Sequence, residues 1–247
     1  MRHVITGILL AAALAAPLSA LAEEDFLEIH LTGGFDTLMT RDGGFDYFSK
    51  TDWMTTGTVG VEMEVWEELF VRLSLASGDS SEYFYGTSDW SGGTQGNFFA
   101  AVSLVEPQLG LRKGYTIIDG IRPYVSAIAT YTVADVDVDL TSETGLSRDS
   151  GIADGQLGGR FAGGIELFLP RRVFHGVGER SGFFKDFTLG MSLECGYALR
   201  QAIPLSGLSQ DEEQDTQGED TLIPAQHDLG DLSLSGFFIA ADFRLMF

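Results

Sequence analysis

Carboxylates, guanidinium groups and a few histidines are the side chains here that could do chemistry, and their spacing separates catalysis and metal binding from plain ion pairing. A nucleophilic hydrolase needs a hydroxyl or thiol with a histidine base and an orienting acid in reach. Cys195 is the only cysteine. It shares a parity with Leu193 and Tyr197 and reads as a small apolar wall residue. His30 has no recognisable serine partner and His175 falls in a connection. His227 stands beside Asp228 with Ser233 and Ser235 nearby, in no His-x-Ser pattern. Asp79-Ser80 is a common dipeptide. Asp135-x-Asp137-x-Asp139 has the opening spacing of a calcium loop, yet no glycine fills the sixth position and Leu146 stands where the bidentate glutamate belongs. Gly33-Gly34, Gly158-Gly159 and Gly163-Gly164 lack the Lys-Ser/Thr of a phosphate loop. The sequence predicts no catalytic residue, no metal site and no cofactor.

An ionic set is left. Glu28, Glu62, Glu64, Glu106, Glu166, Glu194 and Asp242, with Arg72, Arg112, Arg122, Arg160, Arg200 and Arg244, alternate with mostly apolar residues, and the two signs nearly balance. Alternation is the period of a β-strand. The elements that must position these groups are therefore strands with one polar and one apolar face.

Eight segments have that form: about 26–35, 53–66, 69–77, 97–112, 121–133, 160–169, 187–200 and 235–247. In the third, Leu69, Val71, Leu73 and Leu75 oppose Phe70, Arg72 and Ser74; in the fifth, Val125, Ala127, Ala129 and Tyr131 oppose Arg122, Tyr124, Ser126 and Thr130. The fourth is the least regular, because Phe98 to Val105 is apolar on both faces, and Glu106-Pro107 predicts a bulge since proline cannot donate to the ladder. Glycine at 31 residues and phenylalanine at 18 against 6 prolines suit many strands and tight turns. No residue on the apolar faces is charged, the reverse of a soluble sandwich and the requirement of a wall facing lipid.

The two ends of the chain point the same way. Met1-Arg2-His3, an apolar run from Val4 to Ala16 and the Ala20-x-Ala22 ending have the form of a signal peptide, so residues 1–22 are expected to be removed and 23–247 to form one barrel domain. The final strand puts Phe237, Ile239, Ala241, Phe243, Leu245 and Phe247 on one face and Asp242 and Arg244 on the other. This ending resembles the C-terminal assembly signal of bacterial outer-membrane barrels. Arg122-Pro-Tyr-Val-Ser-Ala-Ile-Ala-Thr-Tyr131 resembles the strand opening of small outer-membrane barrels of the OmpA and OmpW type. The expected fold is thus all-β, an antiparallel up-and-down transmembrane barrel of eight strands. Ten is the alternative, because Pro170 to Asp186 is long for a turn.

The resemblance implies an outer-membrane location reached by general secretory export, contact with lipids and lipopolysaccharide, and recognition of Phe237, Ile239, Phe243, Leu245 and Phe247 by the barrel-insertion machinery. Glu67-Glu68, 113–120 and 170–186 are expected at the periplasmic end. The long connections 38–51, 78–96, 134–159 and 201–230 are expected outside, with Trp53, Trp66, Tyr115, Tyr124 and Phe187 in aromatic girdles. The ionic set would then fill the lumen as Glu–Arg pairs, since eight strands leave an interior about filled by side chains. A structural or surface role follows, with a narrow channel for ions or small apolar solutes as alternative and a lipid A modifying enzyme as second alternative. The charge of −21 concentrates in the outer connections, which argues against nucleic acid as a partner and allows loose Mg²⁺ or Ca²⁺ bridging to lipopolysaccharide phosphates.

Overall fold

Strands whose apolar and polar residues alternate bury the polar face only by closing on themselves, and the chain does so. The computed structural model describes residues 28–40, 45–49, 51–87, 96–142, 147–169, 188–205, 209–210 and 231–246. Its strands are β1 (Ile29–Met39), β2 (Trp53–Trp66), β3 (Leu69–Thr87), β4 (Gly96–Gly114), β5 (Ile121–Ser142), β6 (Ser147–Phe168) and β7 (Thr188–Arg200), then the short β8 (Ile203–Pro204), β9 (Ser209–Gln210) and β10 (Asp231–Leu232), and finally β11 (Gly236–Met246). Each long strand pairs antiparallel with its neighbours in sequence, and β1 against β11 closes the ring. Because β6 pairs directly with β7, the barrel has eight strands and no place for a further hairpin in the ladder.

The apolar faces point outward. Phe35, Leu73, Leu109, Val125, Ile165, Leu193, Phe237, Ile239 and Phe243 are all exposed, while Arg112 and Arg244 are fully buried. So large an apolar band is unstable in water and suited to hydrocarbon. Replacing Phe243 by Arg is expected to lower barrel stability by about 2–4 kcal/mol, the cost of a guanidinium facing the bilayer interior; urea titration of both chains in lipid vesicles measures it, and equal midpoints would reject a lipid-facing Phe243.

Strand length departs most from the sequence reading. The stretches 78–96 and 134–159, expected as external loops, are largely strand: β3 to β6 run 19 to 22 residues, about twice the 9–11 that cross a bilayer. In β5 the faces exchange character along the strand. Below Val133 the apolar residues Val125 and Tyr131 are exposed and Ser126, Thr130 and Thr132 are buried; above it Ala134, Val136 and Val138 are buried and Asp135 and Asp137 are exposed. β4 does the same, with Ala100, Val102 and Leu104 buried above Glu106, Gln108 and Arg112. The lower pattern is that of a membrane wall and the upper that of a water-soluble sheet. This is why Phe98 to Val105 looked apolar on both faces, and why Asp135, Asp137, Asp139, Asp149 and Asp154 lie on strands.

No bulge forms at Glu106-Pro107. The β3–β4 register runs through both residues, and β4–β5 keeps its register from Val105↔Val133 to Gln108↔Thr130, with the proline leaving only a gap in the ladder. Shifts occur instead between Glu64 and Trp66 and between Phe84 and Thr87. The Glu67-Glu68 turn has φ of 27° and 61° without a glycine. The Glu64 carboxylate accepts the Glu68 N–H at 2.5 Å. Trp53, Trp66 and Tyr115 are exposed as girdle residues, whereas Tyr124 turns inward and is 4% exposed; Phe187 lies outside the described residues.

Candidate functional site

The buried face of the barrel carries two ionic clusters, one above the other. The lower is centred on Glu62 of β2, which is fully buried. Arg112 of β4 donates Nε to Glu62 Oε2 at 2.9 Å and Nη1 to Glu166 Oε2 at 2.8 Å, bridging two acids on opposite walls. Arg244 of β11 donates Nη1 to the same Glu62 oxygen and Nε to Ser192 Oγ at 3.2 Å. Arg72 lies 3.8 Å from Glu62 Oε1 and donates Nη2 to Asp242 at 3.4 Å; Thr58 also donates to Asp242, at 3.2 Å. The Arg112 guanidinium lies 4.4 Å above the Phe70 ring and 5.0 Å from that of Tyr124. Gly164 is required here, since a Cβ at that position would stand 2.5 Å from the Tyr124 ring.

The upper cluster is built on Glu106 of β4. Arg200 of β7 donates Nε to its Oε2 at 2.6 Å, Thr132 donates to the same oxygen, and Gln108 donates to Oε1 at 2.8 Å. Arg200 also donates Nη1 to the Leu234 carbonyl at 2.6 Å, tying the last connection to the barrel. Beside it Arg160 donates to Asp36 at 2.6 Å and lies 3.9 Å over the Phe238 ring. Buried charge of this density is stable only when every carboxylate meets a cation and further donors.

Of the residues singled out in the sequence, Glu62, Arg72, Arg112, Glu166, Asp242 and Arg244 come together in the lower cluster, and Glu106, Arg160 and Arg200 in the upper. Arg122 reaches Glu166 only at 3.7 Å and Glu68 at 3.9 Å, at the lower rim. Glu194 accepts from Ser126 at 3.3 Å. Glu28 sits at the rim, 3.1 Å from His30 Nε2. Glu64, expected among the lumen groups, caps the β2–β3 turn instead, because the register shift beside it turns its side chain toward Glu68. Asp36 lies one residue past the strand end that the sequence predicts at Phe35, because β1 continues to Met39; the alternation Glu28, His30, Thr32 carried two steps further reaches it.

Above both clusters the polar interior stops. Phe45 and Phe48 from the β1–β2 connection, Met54, Val102, Leu104, Val136, Val138, Ile203, Leu205, Leu232 and Leu234 form one cluster, each 3% exposed or less. It draws on the first connection, the tall β4–β5 wall and the last connection. Ser80 Oγ donates to the Phe48 carbonyl at 2.8 Å and pins the first of these to β3.

Neither catalytic nor metal chemistry finds a constellation among the described residues. His30 is fully buried against the Phe70 ring, 4.8 Å between centroids, with Glu28 and Glu62 as polar neighbours and neither ring nitrogen in a hydrogen bond. Described His, Cys, Asp and Glu side chains form no group of three able to hold a metal ion. No described helix is long and apolar enough to cross a membrane. His175, His227, the acidic run 211–220 and Phe247 lie outside the described residues. Of the other terminal-strand positions, Phe237, Ile239 and Phe243 are exposed on the outer wall beside a half-buried Leu245.

Comparison with known proteins gives one family and several solved structures. The family described as Outer membrane protein beta-barrel domain matches residues 8–197. No curated protein matches the chain. Neisserial surface protein A is 9% identical with a TM-score of 0.36, covering 90% of this chain and 97% of that one. Ail, the attachment invasion locus protein of Yersinia pestis, solved with the heparin analogue sucrose octasulfate, is 13% identical with a TM-score of 0.31, covering 90% and 96%. The N-terminal barrel domain of Pseudomonas aeruginosa OprF is 12% identical with a TM-score of 0.32, covering 89% and 97%.

Proposed function

Given that the chain belongs to the outer membrane protein beta-barrel domain family, and so to the bacterial outer membrane, we propose that it is a sealed, non-catalytic barrel with a structural or surface-interaction role. One observation carries the reading: the buried apolar cluster around Phe48, Leu104 and Val136 joins the first and last connections to the inner face of β4 and β5 above the ionic clusters, and we read it as spanning the lumen. Ions cross a dry apolar constriction only when it wets, and the charged groups below are engaged with one another. The Glu–Arg pairs then act as an ionic plug that fixes the relative register of β2, β4, β6 and β11. Export by the general secretory route, removal of residues 1–22 and recognition of Phe237, Ile239, Phe243, Leu245 and Phe247 by the insertion machinery complete the proposal.

The external half supports a surface role. Asp79 and Asp135 are exposed on the outer side of strands that continue past the apolar band, and we place lipopolysaccharide phosphates at their level. Divalent cations bridging the two are the contact we propose there. Single-channel recording of the folded protein in a planar bilayer tests the sealed lumen. A silent bilayer is expected, and reproducible conductance steps would overturn the proposal in favour of a narrow channel. Mass spectrometry of lipid A from producing cells is expected to show an unchanged acylation pattern; an altered one would make the protein a lipid A modifying enzyme.

A further inference from the structure

The outer wall is not uniformly rough. A shallow, open depression of about 680 Å³ crosses it from Leu69 and Lys113 to Tyr197 and Phe237. Its floor is small: Ala127 of β5, Gly163 of β6 and Cys195 of β7. Its large side chains stand in two register rows: Leu111, Phe161, Tyr197 and Phe237 share the row of Ala127, while Val125 lies one step lower in the row of Gly163 and Cys195; the Tyr197 and Phe237 rings meet edge to face at 5.4 Å.

Register shows how it runs. Lys113 pairs with Val125, Val125 with Gly163, and Gly163 with Cys195. Lys113 lies one residue from the lower end of β4 at Gly114, Val125 four from that of β5 at Ile121, Gly163 five from that of β6 at Phe168, and Cys195 seven from that of β7 at Thr188. The line therefore climbs through the hydrocarbon as it passes around the barrel, and its lower end carries a cation. Lys113 is the one lysine among the described residues, and its Nζ donates to the Glu67 carbonyl; an ammonium has three donors, so two remain for a ligand. Among described side chains it is the one basic group lining this apolar wall.

We infer that this depression is a seat for one inner-leaflet phospholipid, an acyl chain lying over Ala127, Gly163 and Cys195 and the phosphate held by Lys113. The wall faces lipid, which sets the chemistry of the chain, and Lys113, the one cation among the described residues of this wall, sets which end holds the headgroup. Gly163 keeps the floor open: a Cβ there would meet nothing nearer than the Tyr124 carbonyl oxygen at 3.8 Å, so Gly163→Leu fills the depression from its floor without disturbing the ladder. The inference is independent of whether the lumen conducts.

Native mass spectrometry of the folded protein in mild detergent, titrated with palmitoyl-oleoyl phosphatidylglycerol, tests it. The unmodified chain is expected to retain one lipid. Lys113→Gln and Gly163→Leu should each weaken retention by at least about tenfold, the scale of one lost ion pair or contact, while Leu73→Ala on another part of the wall leaves it unchanged. Lys113 is exposed at the rim, so Lys113→Gln tests the site even if Gly163→Leu fails to show the heat-dependent gel mobility of a folded barrel. Equal retention by all variants would overturn the inference. So would a dimer that Gly163→Leu dissociates, which would give the depression to a second copy of the chain.

Discussion

Glu62→Gln is expected to destabilise the barrel by about 3–5 kcal/mol, the scale on which removing one member of a buried ion pair acts. The substitution keeps the shape and one acceptor of the side chain and deletes its charge. Arg112 and Arg244 both donate to Glu62 Oε2, and Arg72 approaches the other oxygen at 3.8 Å. With that charge gone, three guanidiniums share Glu166 and Asp242 in a space closed to water, and their mutual repulsion adds to the lost attraction. Urea midpoints in lipid vesicles, or the temperature at which the fast-migrating folded form is lost from gels, measure the effect. Glu28→Gln is the comparison: that side chain is 27% exposed at the rim, and its loss should cost no more than about 1 kcal/mol. Equal midpoints for Glu62→Gln and the unmodified chain would show that the lower cluster contributes nothing to stability.

Phe48→Ala is expected to open the outer half without opening the barrel. Phe48 is fully buried and packs with residues from three separate parts of the chain; deleting a buried phenyl ring costs about 3–5 kcal/mol. The lipid-facing ladder below does not depend on it. Cleavage of the outer connections by an added protease should therefore accelerate by about a hundredfold or more, while the heat-dependent gel mobility of the barrel persists. Simultaneous loss of both would mean that cap and barrel form one cooperative unit; unchanged proteolysis would mean that Phe48 holds nothing together.

The barrel was legible because its lower half obeys one rule throughout. Apolar residues at 69, 71, 73 and 75 against Phe70, Arg72 and Ser74 leave one assignment of faces, and a slip by one would send Arg72 into lipid. The upper half was misread for the opposite reason. Asp135-Val-Asp-Val-Asp139 is also a strict alternation, but with the charges outward, and against a membrane template it looked like a loop. Read as a soluble strand it places Val136 and Val138 in a core. The ionic clusters were legible as a set of inward residues and not as partners: period two tells that Arg112 and Glu166 face inward, whereas only closure of the ring tells that they face each other. Glu64 was lost to a local shift that no sequence pattern announces, and Asp36 to a strand ended too soon.

The composition of the apolar cap sets the order of assembly. Phe45 and Phe48 come from the connection after the first strand, and Leu232 and Leu234 from the one before the last. These segments meet when β1 and β11 pair and close the ring, the same step that brings Arg244 to Glu62 and Asp242 to Arg72. Contacts of such sequence separation form late. The cap is thus a completion signal: an intermediate stalled before closure leaves greasy segments open to proteases, and resistance to digestion is a clock for the last step of assembly.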